Sequence, residues 1–132
     1  MLKVIFVDDS PIVLKSLKSV VEEFIDSGFI ECEFYNNPEE FYDLCKSESV
    51  DFDLIFSDIN MPRMDGYELV KRIKALAKYR RKVVVAMTTE ISLESKIKGK
   101  AAGMNAWITK IASPDAMKSA IKDVLDKCSK LQ

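Results

Sequence analysis

The chain contains no histidine. That excludes histidine triads, histidine metal sites and a phosphohistidine of its own, so any phosphohistidine in its chemistry has to come from a partner. Cysteine is scarce: Cys32, Cys45 and Cys128 are odd in number and form no CxxC pair. This speaks against a disulfide framework or a zinc site and fits a reducing, cytoplasmic setting. There is no excess of charge of either sign, since 20 Lys and Arg face 21 Asp and Glu for a net charge of −1. Nothing therefore draws the molecule as a whole to nucleic acid or anionic lipid. The one basic cluster, Lys78, Arg80, Arg81 and Lys82, is expected to be a solvated helix end, where cations meet the negative end of the helix dipole. Long apolar runs are missing too. Leu2–Val7 stops at Asp8 and Asp9, too short for a signal peptide or a membrane span but the length of a buried strand. The segment after it lacks the glycines of a dinucleotide or P-loop site, which disfavours a nucleotide-dependent enzyme. No repeat, linker or low-complexity stretch divides the 132 residues, and 48% hydrophobic composition can fill one core. One domain over 1–132 is expected.

Strand and helix signals alternate along the chain. Leu2–Val7 is followed by Ser10-Pro11, a cap residue and a proline at the first helical position. Ile12, Val13, Leu17, Val20, Val21, Phe24 and Ile25 continue at helical spacing, and Gly28 closes that helix. Ile30–Tyr35 reads as a strand. Asn37-Pro38 repeats the capping device before Phe41, Leu44 and Cys45. Leu54–Phe56 is the next apolar strand and ends at Ser57-Asp58. A loop from Ile59 to Asp65 leads to Gly66 and to a helix marked by Leu69, Val70, Ile73 and Leu76. Val83–Met87 is a strand, and Thr88-Thr89-Glu90 resembles a helix start with Leu93 and Ile97 facing inward. Gly103 stops that helix, Ala106–Ile108 is a short strand, and Ser113-Pro114 opens a last helix lined by Met117, Ile121, Val124 and Leu125. This alternation predicts an α/β fold, a doubly wound five-stranded parallel sheet with right-handed crossovers and helices on both faces.

Polar residues appear where the apolar strands stop. Asp8 and Asp9 end the first strand, Asp58 the third, Thr88 the fourth and Lys110 the fifth. Ligands of open α/β sheets bind beyond the carboxyl ends of the strands. In the flavodoxin-like order 2-1-3-4-5, strands one and three are neighbours, and the three carboxylates would meet beside a hydroxyl and an ammonium. Crowded carboxylates repel, and a hard cation with oxygen ligands such as Mg²⁺ is the simplest remedy. A carboxylate is also a competent nucleophile. Taken singly, each residue has a plainer use: Asp9 or Thr88 as a helix cap, Asp58-Ile59-Asn60 as turn chemistry, Lys110 as a surface lysine, Trp107 as strand core. Their joint placement at four strand ends favours phosphoryl transfer to a carboxylate with Mg²⁺ neutralising charge.

Val7-Asp8-Asp9-Ser10, the loop Ser57-Asp58-Ile59-Asn60-Met61-Pro62-Arg63-Met64-Asp65-Gly66, Met87-Thr88-Thr89-Glu90 and Trp107-Ile108-Thr109-Lys110 resemble the receiver domains of bacterial response regulators. The resemblance covers nearly the whole chain, and with no output domain in sight it points to the single-domain, CheY-like kind. It implies that Asp58 is the phosphoacceptor. It implies that Asp9, Asp58 and the Asn60 carbonyl bind Mg²⁺, with Asp8 acting partly through water. Lys110 would contact the phosphoryl group, Thr88 would shift toward it and the aromatic Trp107 would turn inward as a switch. The positions of Asn60 and Glu90 would tune phosphoryl lifetime.

The implied partners are a sensor histidine kinase as donor and a downstream protein target. The target would be met through the 90–102 helix with Lys96, Lys98 and Lys100, strand five and the last helix. Neither nucleic acid nor membrane insertion is expected, and the chain should be a monomer. Chemotaxis is the expected pathway. A relay protein passing the group onward and a non-phosphorylated binding module are the alternatives. Such a chain is no conventional enzyme, although it would catalyse its own phosphorylation and dephosphorylation. Two positions depart from the family pattern. Ile111 stands where proline usually follows the lysine; a cis bond before a non-proline residue costs about 2.5–4 kcal/mol, so Lys110-Ile111 is expected to be trans. Trp107 stands where tyrosine or phenylalanine is usual.

Overall fold

A computed structural model describes residues 1–89, 92–110 and 113–130. The elements follow in the order β1 (Leu2–Val7), α1 (Pro11–Asp26), β2 (Ile30–Tyr35), α2 (Pro38–Lys46), β3 (Leu54–Asp58), α3 (Gly66–Ala75), a short 3-10 turn (Ala77–Tyr79), β4 (Val83–Thr88), α4 (Leu93–Ala102), β5 (Ala106–Thr109) and α5 (Pro114–Lys130). The five strands form one sheet in the order β2-β1-β3-β4-β5. All neighbouring pairs are parallel, with Val7 beside Ser57, Asp58 beside Met87 and Thr88 beside Thr109. The flavodoxin-like expectation holds.

Alternation along each strand divides the interior into two layers. Val4, Phe6, Leu54, Phe56, Val85, Met87 and Ile108 face one side, where Leu14, Leu17, Val21, Ile121 and Leu125 cover them from α1 and α5. Ile5, Val7, Ile55, Val84 and Ala86 face the other, under Phe41 and Cys45 of α2 and Leu69, Val70 and Ile73 of α3. Strands covered on both faces have no solvated side, so Val4–Val7 of β1 and Leu54–Phe56 of β3 read as unbroken apolar runs. Phe6 stacks between Phe34 and Phe56, at 5.2 and 5.0 Å between ring centroids, and ties three adjacent strands together.

The capping signals act as expected. Ser10 accepts from Val13 N–H, Asn37 from Glu40 N–H, and each cap is followed by proline. Ser113 Oγ likewise accepts from Ala116 N–H. Gly28 and Gly103 follow α1 and α4 at φ +78° and +113°, left-handed conformations that cost glycine little.

The fourth helix departs from the expectation. Thr88 belongs to β4 and Thr89 is exposed; the helix is capped instead by Ser92, whose side chain accepts from Ser95 N–H while the Ser95 hydroxyl accepts from Ser92 N–H. Leu93 and Ile97 do not face inward: they are 77% and 62% exposed. The buried residue of α4 is Gly99, which at 3.6 residues per turn lies about 200° around the helix from Ile97. Helix α4 thus approaches the protein through its backbone at Gly99, and its leucine and isoleucine point to solvent. Ile12, at the start of α1 beyond the carboxyl end of β1, is also exposed. The third helix ends one residue earlier than its pattern suggests, with Leu76 as an extended cap. In the basic cluster, Lys78, Arg80 and Arg81 are exposed and Lys82 is half-buried. The three cysteines are free thiols. No helix among the described residues is long and apolar enough to cross a membrane.

Candidate functional site at the carboxyl edge of the sheet

The order β2-β1-β3-β4-β5 puts the ends of β1 and β3 side by side, and the acidic residues follow. One oxygen from each of Asp8, Asp9 and Asp58 lies within 4.8 Å of the others. Asp8 and Asp58 are buried while Asp9 is exposed, so the cluster has a closed floor and an open side. Asp8 is held on two sides: its Oδ1 accepts from Ser10 N–H at 2.9 Å and its own N–H donates to the Tyr35 carbonyl at 3.1 Å. The turn that caps α1 therefore also aims the Asp8 carboxylate.

Lys110 closes the site from β5. Its N–H donates to the Thr88 carbonyl at 3.0 Å, carrying the strand pairing one residue past β5. Its Nζ reaches Asp8 Oδ2 at 2.6 Å and Asp58 Oδ2 at 3.3 Å. Burial pulls the lysine down, but the hydrogen bond and charge of Asp8, then those of Asp58, outweigh it and hold the ammonium above its ordinary value. Burial pushes the Asp58 carboxyl up and Asp8 adds to this, while Lys110 and the Ile59 N–H offset them only in part. One ammonium is thus shared by two buried carboxylates, a site short of positive charge.

The donor set is all oxygen, which suits Mg²⁺, Ca²⁺ or Mn²⁺ rather than a thiolate- or imidazole-loving ion. Two ligands on opposite sides of Mg²⁺ stand about 4.2 Å apart, twice the ordinary bond length. The 4.8 Å spread therefore fits such an ion after small side-chain adjustments or with water completing the shell.

Gly66 has a local role that its place in the sequence pattern does not reveal. A Cβ there would lie 2.2 Å from the Asp58 carbonyl oxygen and 2.8 Å from Ile59 Cα. Its N–H donates to the Ile59 carbonyl at 2.8 Å. Only glycine lets the first turn of α3 press against the peptide that carries Asp58. The loop between them is anchored by the buried Ile59, Met61 and Met64, and Asp65 caps α3 through Glu68 N–H. The apolar residues of this loop were the available signal, since a merely solvated turn would not need three of them.

Thr88 is 1% exposed at the end of β4. It lines a polar cleft of about 300 Å³ together with Asn60, Tyr67, Ser92, Ser95 and Lys98. Trp107 is not brought to the carboxylates. It pairs with Ala86 in register and packs against the layer beneath α2 and α3. Its indole N–H is enclosed and meets no hydrogen-bond partner among the described residues. Glu90, expected to tune phosphoryl lifetime, and the Lys110-Ile111 bond lie outside the described residues.

Comparison with known proteins adds to this geometry. The family model of the response regulator receiver domain matches residues 4–122. A chemotaxis protein CheY homolog of Campylobacter jejuni is 32% identical over 124 residues, covering 94% of this chain and 92% of that protein. The structure of chemotaxis protein CheY4 of Vibrio cholerae superposes with a TM-score of 0.80 at 33% identity, over 94% of this chain and 98% of that one. The receiver domain of a sensor histidine kinase from Pseudomonas aeruginosa, solved with a magnesium ion in its active-site cleft, shares the fold at a TM-score of 0.79 and 18% identity, over 96% of this chain and 95% of that one.

Proposed function

Since the chain belongs to the response regulator receiver family, we propose that Asp58 is the residue through which it works as a phosphoacceptor switch. The observation that carries this reading is the shared lysine: Lys110 lies within reach of both Asp8 and Asp58, leaving a buried carboxylate nucleophile beside a cation that can follow charge onto a new group. An Asp58 carboxylate oxygen attacks the phosphorus of the donor. A P–O bond to the aspartate forms while the bond to the leaving group breaks, and the leaving group departs with the bonding electrons. With a histidine kinase as donor, the leaving atom is an imidazole nitrogen of the kinase, since this chain has no histidine. Catalysis of this kind consists mainly of positioning and charge stabilisation.

Asp8, Asp9, Asp58 and the Asn60 carbonyl would hold Mg²⁺. The ion, when bound, supplies the positive charge that three carboxylates and one lysine lack. The residues of the chain do the rest. Lys110 moves its hydrogen bonds from the carboxylates toward a phosphoryl oxygen. Thr88, at the neighbouring strand end, offers a hydroxyl to another. The added charge and acceptor oxygens give these two groups new partners, and the consequence is a changed surface for a downstream protein around α4, β5 and α5. We assign Trp107 as the aromatic that accompanies this change, Asn60 and Glu90 as residues that set phosphoryl lifetime, chemotaxis as the pathway, the cytoplasm as the compartment and a monomer as the working form.

Labelling by a small acyl phosphate tests the reading. It should require Mg²⁺ and should weaken strongly in Asp9→Asn, which keeps the fold because Asp9 is exposed. Labelling that is indifferent to both would count against it and favour a receiver that only binds partners.

A further inference from the structure

Contacts to α4 fall on the adjacent residues Lys98 and Gly99 and on Ser95 one turn earlier. Lys98 Nζ stands 4.6 Å from the centroid of the Tyr67 ring, and the Tyr67 hydroxyl points at the Ser95 carbonyl at 3.5 Å. The next residue, Gly99, lies against Trp107: a Cβ there would come within 3.1 Å of indole Cζ2 and Nε1 and 3.0 Å of Met104 Sδ. Tyr67 itself follows Gly66, where α3 presses on the Asp58 peptide. The polar cleft beside Asn60 and Thr88 ends on Tyr67 and Lys98, and a second cleft, lined by Asp65, Glu68 and Lys71, opens beyond the same pair. The aromatic–ammonium contact therefore bridges a gap between α3 and α4. A helix whose leucine and isoleucine face water has no apolar stripe to hold it, so the few contacts it does make decide its position.

We infer that Tyr67 and Lys98 form a clasp that positions α4 and thereby sets how tightly Gly99 encloses the indole of Trp107. The contacts run without a break from the Asp58 peptide through Gly66, Tyr67, Lys98 and Gly99 to Trp107. Opening the clasp has a definite consequence at the far end. The enclosed indole N–H has no hydrogen-bond partner among the described residues, and water reaching it would satisfy it. Tyr67 and Lys98 are positioning residues in this account: they act through α4, and the inference concerns the unphosphorylated protein, independent of whether Asp58 accepts a phosphoryl group.

The test uses the full unphosphorylated chain, in which Trp107 is the only tryptophan. In Lys98→Met and in Tyr67→Leu, amide exchange in α4 should rise about two- to fivefold, the factor an exposed cation–π contact supplies. Exchange in β1 and β3 should stay unchanged, and Trp107 emission should move to the red with easier quenching by acrylamide. Lys98→Arg keeps a cation over the Tyr67 ring and should behave as the parent, while Tyr67→Phe keeps the ring and loses the hydroxyl contact to Ser95, so it should loosen α4 less than Tyr67→Leu does. Unaltered α4 exchange and Trp107 emission in Lys98→Met would overturn the inference, as would loosening in Lys98→Arg equal to that in Lys98→Met. Lys98 is exposed, so if Tyr67→Leu loses cooperative unfolding, Lys98→Met decides alone by the same two readouts.

Discussion

Tyr79 shows how a single polar atom is carried into the core. Its side chain is fully buried, its ring stacks on Phe52 at 5.0 Å between centroids, and its hydroxyl donates to the Val50 carbonyl at 2.6 Å. Burial, with smaller contributions from Cys45, Glu48 and Asp51, pushes the phenol from 10.0 up to about 12. Between those two values the unfolded chain has released this proton and the folded chain still holds it. Stability from this group is therefore complete below pH 10 and drains away as pH rises toward 12. At pH 7, Tyr79→Phe should cost about 0.5–1.5 kcal/mol, the net worth of one hydrogen bond. At pH 11 the gap between the two proteins should narrow. Urea midpoints of both at both pH values check this, and an unchanged gap would contradict it. Cys32 and Cys45 are governed by the same burial, which pushes each thiol up to about 12 and leaves them as packing residues rather than reactive ones.

Among the elements, the helix caps and the doubly covered strands were legible because their signals are local. Ser10-Pro11 and Asn37-Pro38 fix a helix start whatever the rest of the chain does. The fourth helix misled because the chain offers hydroxyls at 88, 89 and 92 as caps, and only the sheet decides among them. Lys110 N–H bonds to the Thr88 carbonyl, which commits Thr88 to β4 and leaves Ser92 to start the helix. Leu93 and Ile97 then imitate a core stripe at the right spacing, yet the face that docks is the one bearing Gly99. At the start of α3 the same kind of close approach gives a prediction. Gly66→Ala puts a methyl 2.2 Å from a backbone oxygen that cannot swing away, so strand end and helix start must part. The expected loss is about 1–3 kcal/mol, the usual range for overpacking. It is measured by urea unfolding at neutral pH; a loss below about 0.5 kcal/mol, within the range of ordinary surface substitutions, would show that this contact does not hold Asp58 in place.

At the scale of the whole molecule, the residue types of the site were legible and their meeting was conditional. Asp8, Asp9, Asp58, Thr88 and Lys110 could be placed at strand ends from hydrophobic pattern alone, but strand order is a matter of pairing between distant segments. Lys110 meets Asp8 across 102 residues, and no local signal reports that bond. The flavodoxin-like order entered as the condition under which the carboxylates meet, and the sheet has that order. Trp107 was legible as a strand residue, whereas its dependence on Gly99 appears only when α4 is laid against β5. The central claim remains that Asp58 takes the phosphoryl group, and the most direct measurement is to treat the protein with a small acyl phosphate and Mg²⁺, trap the acyl phosphate by borohydride reduction, and map the product by mass spectrometry. The account predicts one modified residue per chain, Asp58, and no modification in Asp58→Asn. A reduced side chain at another acidic residue that also forms in Asp58→Asn, or none on folded, Mg²⁺-supplied protein, would contradict it.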